Sequence, residues 1–453
     1  MPQPTHQNRE LVTEVPGPES RKLRAREEVH IAPGTQGYAI MAGIAVDHAE
    51  GSTITDVDGN TFLDFIGGIG VGALGHSHPT WVEAIQSQAA RAAVGSLTSE
   101  ARVDLLEKFA EHPPAPGVHR LQLYSGGAEA VESALRLAKS ATGKHEVVSC
   151  WGGFHGKTMG VLSLMGSTFK HGLGPMVPGS HLVPYADCYR CPIGSTYPEC
   201  GLGCVEVARK SIKLETTGAI AAVIVEPMQG TAGNIVPPKE FMPAMRSIAD
   251  ENGALLISDE MITGLGRTGA WWGVEHTGVR PDIVTIGKAI GGGFPLSALA
   301  TTDELAKTKP WANPSGSSSS YGGNPLAAAA GAAALRIIGD EDLVTRSRVV
   351  GAAMLRELQT WVDVYPFIGI VRGAGMFLAI ELVSDKKTKA PLSRAITERI
   401  FQACVRRGLL AMSYAASVRI QPPLTTDEAT AMNGLAILRE VFDVVAEEGW
   451  WRS

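Results

Sequence analysis

The sequence predicts an α/β protein: a large domain on a mostly parallel sheet, followed by a smaller α/β domain. From about residue 120, short apolar runs alternate with segments of helical spacing. These runs are continuously apolar, as in strands that are buried on both faces of a sheet. Such strand–helix alternation is typical of a parallel sheet covered by helices. After about residue 335 the helical segments lengthen, which indicates a second unit.

The elements are predicted in chain order. The first 35 residues are expected to form an extended arm. TITDVDGNTFLDF (53–65) alternates apolar and polar residues around Asp58-Gly59, which predicts a β-hairpin. We expect the arm and hairpin (1–65) to be part of the small domain, with a large domain over 66–335 and a C-terminal small domain over 336–453. The predicted strands are 121–124, 146–150, 219–226, 254–260, 282–287, 295–300, 376–382 and 417–421.

Composition excludes several classes of protein. Hydrophobic residues make up 44% and charged residues 19%, an ordinary globular balance. The net charge is −6 without a basic block, so a nucleic-acid partner is not expected. No apolar run is long enough to span a membrane, and the N-terminus lacks the apolar core of a signal peptide. A cytoplasmic protein is therefore expected.

Four of the six cysteines cluster in DCYRCPIGSTYPECGLGC. Cys188, Cys191, Cys200 and Cys204 have the spacing C-x2-C-x8-C-x3-C, which could supply four thiolates to a tetrahedral zinc ion. The second pair is spaced one residue wider than in a zinc ribbon. Reduced cysteines in a packed loop are the favoured alternative, so no metal is expected, although the pattern leaves zinc open.

Lys288 is the only charged side chain in IVTIGKAIGGGFP (283–295), at the end of a predicted buried strand. Burial of a lysine costs solvation energy, which is relieved when the amine loses its proton or finds a partner. A neutral amine in a covered pocket is a nucleophile and can form a Schiff base with a carbonyl cofactor. The plainer alternative is a strand-end lysine that reaches solvent.

Other candidate residues follow other predicted strands, whose carboxyl ends should meet at one edge of the sheet. Gly126–Ala128 stand between a strand and a helix, and free amides at a helix start suit a phosphate. Asp259 can face a protonated ring nitrogen, Glu226 is a second strand-end acid, and Phe154 can lie against a ring. The glycine segment has a plainer reading as a turn, and Asp259 has one as a helix cap or a surface ion pair. Together with Lys288 they predict pyridoxal phosphate as cofactor.

The chain resembles the class III pyridoxal-phosphate-dependent aminotransferases, the ω-amino acid type, which have the fold-type-I architecture. The resemblance extends from the DVDGNTFLDF hairpin to VRIQPPL, over nearly the whole chain. Its most specific block is LLISDEMITGLGRTGAWWGVEHTGVRPDIVTIGKAIGGGFPLSA (255–298). SGGAEAVESALRLA, FHGKT, VIVEPMQG, SYGGNPLA and VRGAG match further motifs in the family's order.

The resemblance implies a role for individual residues. Lys288 and Asp259 would be catalytic, as the Schiff-base lysine and the partner of the ring nitrogen. Ser320, where the family usually has threonine, would bind the phosphate in the neighbouring subunit, which implies a homodimer with shared active sites; a tetramer is left open. His155 has a packing role as its alternative. The residues expected at the cofactor are Gly126, Gly127, Ala128, Phe154, His155, Glu226, Asp259, Ile262, Lys288 and Ser320.

Substrate binding is expected at Arg419, Lys157 and Thr231, and the sequence departs from the family there. Arg419 matches an arginine that commonly binds a substrate carboxylate. Thr231 replaces the glutamate that neutralises this arginine in 4-aminobutyrate aminotransferases, and Lys157 replaces an arginine. Ile262 stands where many relatives have a glutamine that contacts the ring hydroxyl. These departures argue against 4-aminobutyrate:2-oxoglutarate aminotransferase.

The resemblance implies transfer of an amino group from an ω-amino acid or amine to pyruvate or 2-oxoglutarate. In this ping-pong reaction Lys288 would form the Schiff base and move the proton. The alternative is a lyase, decarboxylase or epimerase of the same family, for example one that eliminates ammonia from a phosphonate- or phosphate-bearing amine. A non-catalytic binding protein is the third class, and the complete set of Lys288, Asp259 and Gly127 argues against it.

Overall fold

The computed structural model describes residues 10–452, which form two compact units. One comprises the described residues up to Pro79 and those from Thr345 onward; the other is Thr80–Val344. The strands are β1 (Val46–Glu50), β2 (Thr53–Asp56), β3 (Thr61–Asp64), β4 (Arg120–Tyr124), β5 (Glu146–Cys150), β6 (Ser180–Val183), β7 (Ile220–Val225), β8 (Leu255–Asp259), β9 (Ile283–Ile286), β10 (Ser297–Thr301), β11 (Ile368–Ala374), β12 (Phe377–Asp385), β13 (Ala390–Pro391), β14 (Leu409–Leu410) and β15 (Ser417–Ile420). The helices are α1 (Pro18–Glu28), α2 (Gly37–Ala42), α3 (Gly67–Gly70), α4 (Pro79–Ala89), α5 (Glu100–Glu111), α6 (Gly127–Thr142), α7 (Met159–Ser163), α8 (Gly203–Glu215), α9 (Phe241–Glu251), α10 (Pro325–Asp340), α11 (Leu343–Val364), α12 (Arg394–Val405) and α13 (Glu428–Glu447).

The Thr80–Val344 unit is built on a seven-stranded sheet in the order β4-β10-β9-β8-β7-β5-β6. Strands β6, β5, β7, β8 and β9 are parallel, whereas β10 is antiparallel to both β4 and β9. All six strands predicted in this region are confirmed. The sequence did not indicate β6, a four-residue run in which only Val183 is buried. The predicted mostly parallel sheet is therefore present.

Helix α6 follows β4 after a two-residue turn and covers the sheet. Its buried side chains include Val131, Ala134, Leu135 and Ala138, at the three- and four-residue spacing of one helix face. They belong to a core that also contains apolar residues of β7, β8, β9 and β10. Because apolar burial orients the helix, its first turn lies beside the end of β4.

The other unit contains two small sheets, whose strands are antiparallel except for the parallel pair β3 and β14. In one, β2 and β3 form the predicted hairpin, with Thr55 opposite Thr61. In the other, β12 pairs with β11 and β15. The predicted strands 376–382 and 417–421 are thus confirmed. Within residues 10–452, no helix is both long and apolar enough to cross a membrane.

The expectation of an extended arm is wrong for residues 18–28, which form α1. Pro18 suits the first turn of a helix, because its missing N–H would have no partner there. The carboxylate of Asp58 then accepts hydrogen bonds from the N–H groups of Glu19 (2.7 Å) and Ser20 (2.8 Å). This cap comes from about 40 residues further along the chain, so the local sequence does not reveal it. Residues 1–9 of the predicted arm lie outside the described residues.

Candidate active site

The strand register brings the candidate acids together at the carboxyl edge of the sheet. Val225 of β7 lies opposite Ser258 of β8, and Asp259 lies opposite Thr285 of β9. Glu226 and Asp259 therefore stand next to each other along the sheet edge, and the turn that begins at Lys288 leaves the neighbouring strand. This is the edge at which open α/β sheets bind ligands.

Asp259 forms a buried pair with His155. Nδ1 of His155 lies 2.7 Å from Oδ2 of Asp259, and Oδ1 accepts the N–H of Met261 at 3.1 Å. Burial by itself lowers the pKa of His155, but the hydrogen bond and the charges of Asp259 and Glu226 outweigh it, so the pKa is raised. Nε2 of His155 is buried without a hydrogen-bond partner among the described residues.

Glu226 joins two loops at the sheet edge. Its Oε1 accepts the N–H of Phe154 (2.9 Å), and its Oε2 accepts the N–H of Gly230 (3.1 Å). Burial raises the pKa of this carboxyl to about 7, and the charge of Asp259 acts in the same direction, whereas His155 and the two amides oppose it. Both oxygens are thus engaged by the backbone, which orients the segment that carries Phe154.

Lys288, two residues after the end of β9, has an unusual backbone conformation. Its φ is +48°, in the left-handed region that side chains other than glycine rarely adopt. The preceding Gly287 has no room for a side chain, because a Cβ there would lie 2.5 Å from Sδ of Met261. The reversal at Gly287–Lys288 therefore ends β9, and the lysine side chain is partly exposed.

The Gly126–Ala128 segment forms the first turn of α6. The N–H groups of Gly127 and Ala128 have no hydrogen-bond acceptor among the described residues, as expected for the start of a helix. A Cβ at Gly127 would lie 3.0 Å from Sδ of Met261, so the close packing there favours glycine. Two unused amides at a helix start suit an anion.

Phe154 is half-buried and lies edge-to-face against Phe169, with ring centroids 5.7 Å apart. Nζ of Lys157, which is exposed, lies 4.9 Å from the centroid of Phe169. A cation over a ring is held by the negative face of that ring. The structure therefore places Phe154 and Lys157 around one exposed aromatic residue that the sequence did not single out.

Ile262 and Thr231 belong to neighbouring loops. Ile262 is buried against Gly230, where a Cβ would lie 3.1 Å from both Cδ1 and Cγ2 of the isoleucine. Thr231 is exposed in the turn in which the N–H groups of Gly233 and Asn234 bond to the carbonyl of Gly230. Ile262 thus supports this turn by apolar packing.

Ser320 and Arg419 complete the set of predicted site residues. Ser320 is exposed at the end of a serine-rich segment of the Thr80–Val344 unit. Arg419 belongs to the other unit, on β15 opposite Ala379. Burial lowers the pKa of Arg419, and a hydrogen bond to Tyr414 partly offsets this.

Two acids at the site escaped the sequence analysis. Glu260 is buried, and its oxygens accept hydrogen bonds from Thr263, Gly273 and Val274. Glu129 accepts the N–H groups at the start of α6. Its spacing, three residues after the N-cap, is a capping signature that the sequence does contain. Thr263 is close to Glu260 in sequence, but nothing local reveals the two backbone donors at Gly273 and Val274, which come from a later loop.

The residues present fit pyridoxal phosphate. The unused amides of Gly127 and Ala128 suit its phosphate, and the buried Asp259 suits a protonated ring nitrogen. The amine of Lys288 suits its carbonyl group, and the half-buried ring of Phe154 suits its aromatic face.

The cysteine cluster is a set of free thiols. Within residues 10–452, no group of three or more histidine, cysteine, aspartate or glutamate side chains is arranged so that it could hold a metal ion. Burial, and then the neighbouring thiols, raise the pKa of Cys188 to about 11. Such a thiol is protonated at neutral pH and is a poor nucleophile.

The sequence of this chain is similar to those of known proteins. The profile of the family described as aminotransferase class-III matches residues 35–442. The 5-aminovalerate aminotransferase DavT of Pseudomonas aeruginosa is 35% identical over 421 residues, which cover 91% of this chain and 96% of that protein. The leucine/methionine racemase of Thermococcus litoralis is 34% identical, with 90% and 92% covered.

The fold of this chain is also similar to that of a solved transaminase structure. The amine transaminase from an uncultivated Pseudomonas species, crystallised in its pyridoxal-phosphate-bound form, has a TM-score of 0.85 at 32% identity and covers 91% of this chain and 98% of its own. With the site described above, these matches show that the chain belongs to the class III aminotransferases and is a pyridoxal-phosphate-dependent transaminase.

Proposed function

We propose that the protein transfers the amino group of an ω-amino acid or an amine to an oxo acid such as pyruvate or 2-oxoglutarate. The observation that carries this proposal is the position of Lys288 at the same sheet edge as the buried Asp259–His155 pair. The P. aeruginosa relative, named for 5-aminovalerate, supports an ω-amino acid as the amino donor.

Three groups of the chain would hold the cofactor. The N–H groups of Gly127 and Ala128 bind the phosphate, Asp259 holds the proton on the ring nitrogen, and Phe154 covers one face of the ring. When bound, pyridoxal phosphate supplies a carbonyl that takes up an amino group and a ring that accepts electrons from the adjacent carbon. Glu226 acts indirectly, because its carboxylate accepts a hydrogen bond from the N–H of Phe154 and so positions this ring.

Lys288 carries the proton transfer. Its Nζ, as a neutral amine, takes the proton from the amino-bearing carbon of the donor and later releases it. The left-handed backbone at Lys288 turns the chain out of β9, so the side chain starts at the sheet edge instead of within the strand. His155 supports the reaction by donating Nδ1–H to Asp259, which fixes the orientation of the carboxylate.

The enzyme acts as a homodimer with shared sites, and Ser320 binds the phosphate held by the neighbouring subunit. The exposure of Ser320 supports this part of the proposal, since its hydroxyl is open to a second copy. Arg419 is the candidate for binding a substrate carboxylate, and Lys157 and Thr231 are further substrate-side candidates. A cytoplasmic location is supported by the six free thiols, since disulfides form in oxidising compartments.

A second candidate function is racemisation or another reaction that needs no oxo acid. The observation that favours it is the similarity to the T. litoralis racemase. The family-specific glutamate and glutamine are also absent at Thr231 and Ile262. Both functions would use the same lysine for proton transfer, so the site residues alone do not separate them.

A donor screen tests the proposal. The purified enzyme with cofactor is incubated with 5-aminovalerate, 4-aminobutyrate or 1-phenylethylamine, each with pyruvate or 2-oxoglutarate. Formation of alanine or glutamate in step with loss of the donor supports aminotransfer. If no donor yields either amino acid, the proposal is wrong. In a separate incubation of L-leucine without an oxo acid, conversion into D-leucine would indicate the racemase, and ammonia release from any substrate would indicate a lyase.

A further inference from the structure

Glu129 connects the start of α6 to a distant segment of the same unit. Its Oε2 accepts the N–H groups of Ser125 (3.1 Å) and Gly126 (3.3 Å), and its Oε1 accepts the hydroxyl of Ser319 (2.8 Å). In an ordinary capping box the N-cap side chain returns a bond to the helix. Gly126, the N-cap here, has no side chain to do so. The carboxylate therefore forms hydrogen bonds both with the turn between β4 and α6 and with the serine segment, residues 315–320.

This arrangement decides which amides remain for a ligand. The turn presents successive N–H groups at Ser125, Gly126, Gly127 and Ala128. Glu129 takes the first two, so of these four amides those of Gly127 and Ala128 lack an acceptor among the described residues. The bonds to Glu129 also set the direction of the chain entering the helix, and so the direction of the two remaining donors.

Side chains of β4 and α6 also form hydrogen bonds with the serine segment. The hydroxyl of Tyr124 donates to the carbonyl of Ser317 (2.9 Å), and the guanidinium of Arg136 donates to the carbonyl of Gly316 (2.9 Å). With the Glu129–Ser319 bond, β4 and α6 thus contact the segment at three points. Ser320 follows directly, so its backbone position depends on the last of these contacts.

We propose that Glu129 is a positioning residue for the cofactor phosphate, which orients the two amide donors of its own subunit and, through Ser319, the Ser320 hydroxyl offered to a second subunit. The inference rests on the proposed assignment of Gly127, Ala128 and Ser320 to the phosphate. Glu129 itself makes no contact with the cofactor in this proposal.

A carboxylate near a phosphate repels it, so the geometry of the side chain must be the useful property. Glu129 is exposed, and solvent screens its charge. Glutamine has the same shape: its oxygen can accept both amides, and its NH2 group can donate to the Ser319 hydroxyl, which also accepts. Glu129→Gln should therefore keep the positioning, whereas Glu129→Ala removes it.

The test compares cofactor-free parent, Glu129→Gln, Glu129→Ala and the control Glu111→Gln, whose carboxylate pairs with Lys108 on the exposed side of α5. Pyridoxal phosphate and unphosphorylated pyridoxal are titrated by absorbance, with inorganic phosphate as competitor. We expect Glu129→Ala to weaken pyridoxal phosphate and inorganic phosphate about tenfold, since two or three bonds are lost. Its affinity for pyridoxal should stay within about twofold of the parent. Glu129→Gln and the control should stay within about threefold for all three ligands.

The outcomes separate a positioning role from a structural one. Equal weakening of pyridoxal phosphate and pyridoxal by Glu129→Ala, or no weakening of either, would overturn the inference. Failure of Glu129→Gln to retain phosphate binding would also overturn it. If the parent itself does not prefer pyridoxal phosphate to pyridoxal, the assignment of the phosphate site fails, and the inference fails with it. Should Glu129→Ala not fold, Ser319→Ala removes the link to Oε1, together with the bond that the hydroxyl accepts from the N–H of Gly322, and must selectively weaken pyridoxal phosphate.

Discussion

Nδ1 of His155 lies 2.7 Å from Oδ2 of Asp259, where both side chains are 1% exposed. The two residues are 104 positions apart in sequence and meet because β5, β7 and β8 are neighbours in the sheet. With Met261 N–H on the other oxygen, the carboxylate cannot rotate freely. A carboxylate has about four lone-pair positions, so acceptor capacity remains for a ligand proton.

Asp259→Asn should reduce turnover far more than cofactor binding. A neutral amide cannot hold a proton on the ring nitrogen as a carboxylate does, while the phosphate donors at Gly127 and Ala128 are unchanged. We expect kcat to fall at least about a hundredfold and the Kd for pyridoxal phosphate to change less than about tenfold. Steady-state kinetics and absorbance titration measure the two. The exposed Asp303→Asn variant is the control, and a kcat within a few-fold of the parent would refute the role.

Lys288→Ala should abolish the absorption band of the Schiff base between the protein and the cofactor, and leave the protein folded. The amine of Lys288 is the group proposed to link covalently to the cofactor carbonyl, whereas docking through the phosphate does not need it. Absorbance measures the Schiff-base band, and circular dichroism checks the fold. Borohydride reduction followed by peptide mass spectrometry shows which lysine is linked to the cofactor. Lys307→Ala, at an exposed turn of the same unit, should behave like the parent. A cofactor adduct reduced onto another lysine, with turnover intact, would exclude Lys288.

Glu260→Gln should change how stability depends on pH. Burial raises the pKa of Glu260 from its ordinary value of 4.5 to about 7; the charge of Asp259 adds to the shift, and hydrogen bonds from Thr263 and two backbone amides oppose it. Because the folded state holds the proton more tightly, this stabilisation is complete below about pH 4.5 and is lost as the pH rises towards 7. The loss is on the order of 3 kcal/mol.

The parent should therefore lose stability relative to Glu260→Gln as the pH rises from 5 to 8. Urea unfolding of both proteins across this range measures the difference. At pH 8 we expect the variant to have a lower free energy of unfolding than the parent. In the variant an amide NH2 group faces a backbone N–H that donates a hydrogen bond to the carboxylate of the parent. Only the pH dependence is diagnostic, and parallel pH profiles would show that Glu260 does not titrate as described.

Ser320→Ala should weaken cofactor retention about fivefold, the effect of one lost hydrogen bond to a phosphate. The loss should depend on association, because the hydroxyl is proposed to serve a second subunit. Cofactor dissociation is measured together with the oligomeric state by analytical ultracentrifugation. Ser318→Ala is the matched control, since its hydroxyl bonds to the carbonyl of Ser315 within the segment. A monomeric active enzyme, or equal effects of both variants, would contradict the shared site.

Replacing Cys191 and Cys200 by serine should affect stability more than turnover. The thiols form no disulfide and lie in the loop before α8, outside the sheet edge that carries Lys288 and Asp259. Elemental analysis of the purified parent should find no stoichiometric metal, and kcat of the double variant should stay within about threefold. One zinc ion per subunit, or a hundredfold loss of turnover, would show that the cluster is a functional site.

The residues that the sequence identified are those whose chemistry conflicts with their local environment. Lys288 and Asp259 are charged groups at the ends of apolar runs, and burial of such groups is costly enough to require a reason. The strands themselves were predictable because their apolar runs are continuous, and the hairpin was predictable because Asp58-Gly59 interrupts an alternating pattern. The roles of the individual site residues stay predictions.

Tertiary structure decided everything that depends on partners from distant parts of the chain. The helix at residues 18–28 needs the carboxylate of Asp58, the orientation of Asp259 needs His155, and Glu226 accepts the N–H of Phe154, which is 72 positions away. A hydrogen bond constrains only atoms within about 3 Å of each other. Strand order determines which distant residues come that close. Periodicity and composition identify the apolar strands and the hairpin of this chain but not β6, and the order of the strands emerges only when they pack.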